Sequence, residues 1–311
     1  MVILIDNQAS GGAVDFHAYQ VQSRDTDQTD GSGERGLEIH LLGLAGEAGS
    51  VASEYKKRLR DGDAHSKWLP RMGEELGDVM WYVAAIASQL GLDLQDIAQA
   101  NIAKTRGRWL KGPVDPLDAA WPARERLPRQ GAYVFVPVVT ETGRSAVEVW
   151  FEGRIIGSQL TDASRVEDGY RFHDVFHLAY AVLLGWSPVT RHLLKRKRRS
   201  DTAVDENEDG GRSIVIEEGV AALVFAYAAQ HHYLDDVTRL DQRLLDSIAM
   251  LTAATEVGVR RPSDWERAIL AGFACFRELR ANGGGTCTFD ADSGSIEFSP
   301  SLDTSGGSQG R

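Results

Sequence analysis

The chain is 311 residues long, 42% hydrophobic and 25% charged, which is enough for two ordinary domains, each burying its own core without disulfide staples. A formal charge of −11 argues against a surface that grips a nucleic-acid backbone, since that needs clustered Lys and Arg; free nucleotides that bring a metal cation with them stay open. No apolar run reaches the roughly 18 residues that cross a bilayer, and MVILI (1–5) is cut short by Asp6 with no basic leader, so no membrane partner and a cytoplasmic location are expected.

A short helix around FHAYQ (16–20) and a polar loop, DTDQTDGSGER (25–35), precede a strongly helical stretch. Residues 38–59 carry Leu41, Leu44, Ala45, Ala48, Val51, Ala52 and Tyr55 at helical spacing, and RDGD (60–63) supplies the stop. A second long helix is predicted over 70–90, with Pro70 in its first turn and Gly91 just past its end, and a third over 94–108. Pro113, Pro116, Pro122 and Pro128 then rule out a continuous helix and mark 111–130 as a linker. Two β-branched and aromatic runs, 132–139 and 146–157, read as a hairpin, with Pro137 suited to an edge or bulge. Helices are predicted again over 168–199, 213–233 and 241–279, then a second small hairpin around 286–298 and a Ser/Gly-rich tail over 301–311, expected to be disordered. Cys275 and Cys287 match neither a zinc nor a redox spacing and are expected to be reduced. The expected fold is mainly α: a helical bundle over 1–110, the linker, and a C-terminal helical region over 131–300 with small β-hairpins.

Placed on these helices, the acidic residues fall into register. Glu47, Ser50 and Glu54 share one face; Glu75, Asp78 and Tyr82 share a stripe on the next helix; Asn101, Lys104 and Arg108 repeat the pattern on the third. Spacing alone fits either a solvated acidic face or a cradle for a hard cation such as Mg²⁺ or Mn²⁺, held with the phosphates of a nucleotide. Trp68, Trp81 and Trp109 are candidates for stacking on a base, although helical Trp is more often core.

The strings HLLGLAGEAGSVASEYKK (40–57), GEELGDVMWYVAAIASQLGLDLQDIA (73–98) and NIAKTRGRW (101–109), with FHAYQ ahead of them, resemble the MazG-like all-α nucleoside triphosphate pyrophosphohydrolase family. That family carries a Glu-x-x-Glu pair, a Glu-x-x-Asp pair and a following Asn-x-x-Lys, and uses Mg²⁺ to convert nucleoside triphosphates to monophosphate and pyrophosphate. Glu47 matches the first Glu, Glu75 and Asp78 the second pair, and Asn101 and Lys104 the last element. The resemblance implies that Glu47, Glu75 and Asp78 are catalytic and hold the metal and that Asn101 and Lys104 meet the substrate, with Arg108 on the same face a candidate for the outer phosphates; it also implies a homodimer, unless the C-terminal half supplies that packing surface. Ser50 stands where the second Glu of the first pair is expected, and Glu54, one turn on, is the candidate to replace it.

The resemblance covers about a third of the chain and leaves a second constellation unexplained. His173, Asp174 and His177 fall on one predicted helix with the histidines four apart, and Glu217 and Glu218 fall on another. Such a set can hold a transition metal, act as general acid and base, or consist of helix histidines satisfied by carboxylates. The basic run KRKRR (195–199) between them is either a solvated loop or a grip for a triphosphate. The leading expectation is a Mg²⁺-dependent pyrophosphohydrolase. Its rivals are a nucleotide-binding or regulatory protein that has lost catalysis at Ser50, and a separate metal-dependent hydrolase centred on His173, Asp174 and His177.

Overall fold

The computed structural model describes residues 14–29, 33–109 and 114–302. The apolar run at 1–5, the start of the expected linker at 110–113 and the tail beyond 302 lie outside the described residues. The chain divides into two compact units, Met1–Arg106 and Gly107–Arg311.

The first unit is helical. Helix α1 (Phe16–Arg24) is capped by Asp15, whose carboxylate accepts from the Ala18 N–H at 2.7 Å. Helix α2 (Glu34–Asp61) ends at Gly62 with φ of 58°, helix α3 (Trp68–Gln89) follows, and α4 (Leu94–Trp109) runs on past the unit boundary. In α2 and α3 the contacts pair early residues with late ones, Gly43 with Tyr82 and Tyr55 with Trp68, so the two helices are antiparallel. At Gly43 a Cβ would sit 2.2 Å from the Tyr82 ring, so only glycine admits the ring at this crossing. Gln20 ties α1 down: its amide donates to Ser88 Oγ (3.1 Å) and the Leu92 carbonyl (2.8 Å), and its carbonyl accepts from the Leu94 N–H (2.7 Å). The loop after α1 is pinned by the Trp81 indole, which donates to Thr26, and by the buried His40, whose Nε2 lies near Thr29 and Asp27.

The second unit packs helices on a sheet. Strands β1 (Gln130–Val139), β2 (Ser145–Phe151), β3 (Arg154–Leu160), β4 (Gly285–Asp290) and β5 (Ser295–Ser299) form one antiparallel sheet in the order β3-β2-β1-β4-β5. The expected hairpins therefore join into a single sheet, and the run 146–157 splits into two strands at Glu152 and Gly153. Pro137 lies where β4 no longer pairs with β1, so its missing N–H leaves no gap in that ladder.

The long helices expected over 168–199 and 241–279 are each interrupted. Helix α5 (Asp174–Leu184) stops at Gly185, with φ of 65°, and α6 (Pro188–Leu193) starts afresh with Ser187 as its cap and Pro188 in its first turn. Helices α7 (Thr202–Asn207) and α8 (Gly211–Ala229) follow; α9 (Gln242–Thr252) is separated from α10 (Pro262–Asn282) by a break that ends at Pro262. Every residue of α5 is buried. Its Phe176 stacks on Phe273 of α10 at 4.4 Å, and Gly272 lets α10 close on Ala179. Cys275 and Cys287 are free buried thiols.

From residue 114 onward the expected linker is described, and several of its residues are anchored in the second unit. Asp118 and Leu127 are buried, and Asp118 accepts from the buried Arg191 guanidinium at 2.7 Å and from the Leu127 N–H at 2.7 Å. The prolines break the helix, as the sequence suggests, but buried partners hold the broken segment in place. The basic run is likewise partly committed: Arg198 is buried between Asp209 and Glu256, with N···O distances of 2.7 Å to each, and Arg196 donates to the Ala123 carbonyl. Lys195, Lys197 and Arg199 are left lining a depression of about 640 Å³ together with Arg124 and His192.

Candidate functional site

Glu47 sits midway along α2, with Glu75 and Asp78 one turn apart on α3, and the antiparallel crossing brings the three to one level. A carboxylate oxygen from each lies within 4.8 Å of the other two. Glu47 and Glu75 are half-buried and Asp78 is exposed. Among the described residues no Lys, Arg or His forms an ion pair with any of them. At such separations each pair of negative charges costs about 1 kcal/mol even at water's dielectric constant, and more where water is excluded. A hard cation relieves that repulsion, and an all-oxygen donor set on rigid helices fits Mg²⁺ or Mn²⁺. On α1, burial first and then the Asp78 charge push the Tyr19 phenol above its ordinary range. FHAYQ contains Tyr19, but nothing in its spacing marks it out.

The other expected members stand apart from this cluster. Glu54 is buried, and its carboxylate is taken by Lys57 at 3.0 Å and by His65. Glu54 therefore forms a buried ion pair one turn beyond Ser50, apart from the three clustered carboxylates. His65 lies in the connection to α3, so only the tertiary turn reveals this partnership. Asn101 and Lys104 are exposed on α4, and among the described residues their side chains make no hydrogen bond or ion pair. Arg108 has other work: it pairs with Glu266 at 2.9 Å and donates to the Leu240 carbonyl at 2.8 Å, so its guanidinium is spent within the second unit. Of the tryptophans, Trp81 is engaged with Thr26, Trp68 packs on Tyr55, and Trp109 lies beneath the Arg108 and Arg239 guanidinium groups.

A second convergence lies in the C-terminal unit. His173 precedes α5, His177 is one turn into it, and Glu218 comes from α8; one donor atom from each lies within 4.8 Å of the other two. Glu217, fully buried, accepts from His177 Nδ1 at 2.8 Å, from the Ser187 hydroxyl at 2.6 Å and from the Val189 N–H at 2.8 Å. It therefore orients the histidine and anchors α6, and faces away from the open donor positions. Asp174 is buried at the start of α5, 3.5 Å from His173 Nε2. Burial opposes charge on His177, but Glu217 and then Glu218 outweigh it and raise its pKa to about 10. In turn the neighbouring His177 holds the Glu218 carboxyl below its ordinary range, against partial burial. The sequence singled out these residues but not Ser187 or Tyr170, whose contacts arise only from packing.

Residues 35–110 match the family model for the MazG nucleotide pyrophosphohydrolase domain, and residues 113–302 match that for the MazG C-terminal domain. The chain is similar to the "Gene 37 protein" of Mycobacterium phage L5, with 40% identity over 102 residues, which is 31% of this chain and 90% of that protein. No solved structure matches. No helix among the described residues is long and apolar enough to cross a membrane. The second family match alone spans more than half of the sequence, and the chain therefore belongs to the MazG family, as a hydrolase of nucleotide phosphoanhydride bonds whose pyrophosphohydrolase domain is followed by a MazG C-terminal domain.

Proposed function

We propose that the N-terminal unit hydrolyses a nucleoside or deoxynucleoside triphosphate to the monophosphate and pyrophosphate, with Mg²⁺ held by Glu47, Glu75 and Asp78. The observation that carries this reading is the convergence of those carboxylates from two helices with no cationic partner among the described residues. Bound there, the cation supplies charge neutralisation on the phosphoryl oxygens and lowers the pKa of a coordinated water. Glu47, Glu75 and Asp78 fix its position, and α2 and α3 give them a rigid base. Asn101 and Lys104, exposed and uncommitted, are the groups proposed to meet the triphosphate. Water adds to phosphorus, the bond between the α and β phosphoryl groups breaks, and one proton is released. Mn²⁺ is expected to substitute, because the oxygen donors suit both ions.

The test is pyrophosphate release by the full chain from each nucleoside and deoxynucleoside triphosphate with Mg²⁺. Asp78→Asn and Glu75→Gln are each expected to lower the rate by about 100-fold or more, the scale on which removing one preorganised electrostatic group acts. Activity that persists in both variants and disappears in His173→Ala would move the chemistry to the second unit. Ser50 motivates a second reading, a nucleotide binder without turnover; it is favoured if Mg²⁺-nucleotide binding is measured and no pyrophosphate appears.

A further inference from the structure

Two imidazoles and a carboxylate meet at one end of α5 in a form that oxygen-only chemistry does not explain. The His177 side chain is 1% exposed, yet among the described residues its Nε2 has no hydrogen-bond partner; the Glu218 carboxylate faces it at 3.6 Å, within ion-pair reach but beyond hydrogen-bond distance. A buried ring nitrogen without a hydrogen bond is destabilising unless something else engages it. Both rings are turned the same way. His177 Nδ1 lies 2.8 Å from the Glu217 carboxylate and His173 Nδ1 lies 2.9 Å from the Tyr170 carbonyl, and both oxygens are acceptors only. Each Nδ1 therefore carries its proton, so on each ring Nε2 is the atom at which a divalent cation takes the place of the second proton. The rings are also held: His173 stacks on Tyr170 at 4.6 Å with planes 4° apart, and the Glu217 carboxylate is fixed by Ser187 and the Val189 N–H.

We propose that His173, His177 and Glu218 form a metal site in the C-terminal unit, distinct from the acidic cluster, for a divalent transition metal of the zinc class. Imidazole nitrogen selects such ions over Mg²⁺, whose preference is for oxygen. The Glu217–His177 pair is the carboxylate support that metal-bound histidines characteristically have. Three protein donors leave one place in a tetrahedral set for water or a ligand, and the Glu218 side chain, 43% exposed, opens that side to solvent.

The experiment uses the full chain carrying Glu75→Gln and Asp78→Asn, so that the acidic cluster no longer competes, stripped with chelator and titrated with Co²⁺. One equivalent should bind with visible ligand-field bands, and one equivalent of Zn²⁺ should erase them. His173→Ala and Glu218→Gln, both at partly exposed positions and checked for folding by circular dichroism, should each weaken binding by about 100-fold or more, and Glu217→Gln by about 10- to 100-fold. Absence of a Co²⁺ equivalent, or an equivalent whose affinity neither His173→Ala nor Glu218→Gln changes, overturns the proposal.

Discussion

Glu54 is engaged in a buried ion pair one helical turn beyond Ser50. The Lys57 ammonium first, and then the His65 ring, hold the Glu54 carboxyl below its ordinary range, against its burial. A lowered value in the folded state contributes stability above the unfolded carboxyl's pKa of about 4.3, and that contribution vanishes as pH falls through the folded value. The gap in melting temperature between wild type and Glu54→Gln should therefore be widest near neutrality and close on acidification, as thermal melts across pH will show; a constant gap would contradict the ion pair. With Glu54 held in that ion pair, the proposed cradle has Ser50 in place of a fourth carboxylate. Ser50→Glu should lower the Mg²⁺ concentration needed for half-maximal pyrophosphate release, read from a metal titration at fixed nucleotide.

At the level of elements, the site depends on how closely α2 and α3 approach. Gly43→Ala gains about 1 kcal/mol of helix propensity but drives a methyl group into the Tyr82 ring, and overpacking of this kind costs about 1–3 kcal/mol. The first unit should be destabilised in denaturant melts, and Tyr82→Leu should recover part of the loss by clearing the ring away. The C-terminal unit has an analogous dependence in the Arg198–Asp209–Glu256 group, where Asp209 is fully buried. Asp209→Ala strands the guanidinium and should cost about 3–5 kcal/mol in the unfolding of that unit. Several of these elements were legible in the residues: the apolar spacing of α2, Pro70 in the first turn of α3 and Gly91 after it. The breaks at Gly185 with Pro188, and at Pro262, carry the same kind of signal but were overridden by continuous apolar patterning on either side. The union of two hairpins into one sheet had no local signal, because β1 and β4 pair across about 150 residues of chain.

For the molecule as a whole, the first unit has little apolar core of its own. Its buried apolar residues among those described are Ala84, Ala85, Ala87 and Leu94, whereas Leu41, Leu42, Leu59, Leu69, Leu76 and Met80 on α2 and α3 stay exposed. We propose that a second copy of the chain covers this apolar surface, as the family resemblance implies. Sedimentation velocity should give a homodimer, and Leu42→Glu with Leu76→Glu should shift it to monomer; a wild-type monomer at micromolar concentration would refute this. The sequence by itself determined the family, the mainly helical character and the identity of the acidic and histidine clusters, because helical spacing and short motifs are local properties of the chain. Only the tertiary structure decided which of those residues meet. It joined Glu47 to Glu75 and Asp78, placed Glu54 and Arg108 in ion pairs, and left His177 Nε2 without a hydrogen bond among the described residues, because each outcome depends on partners brought in from other elements.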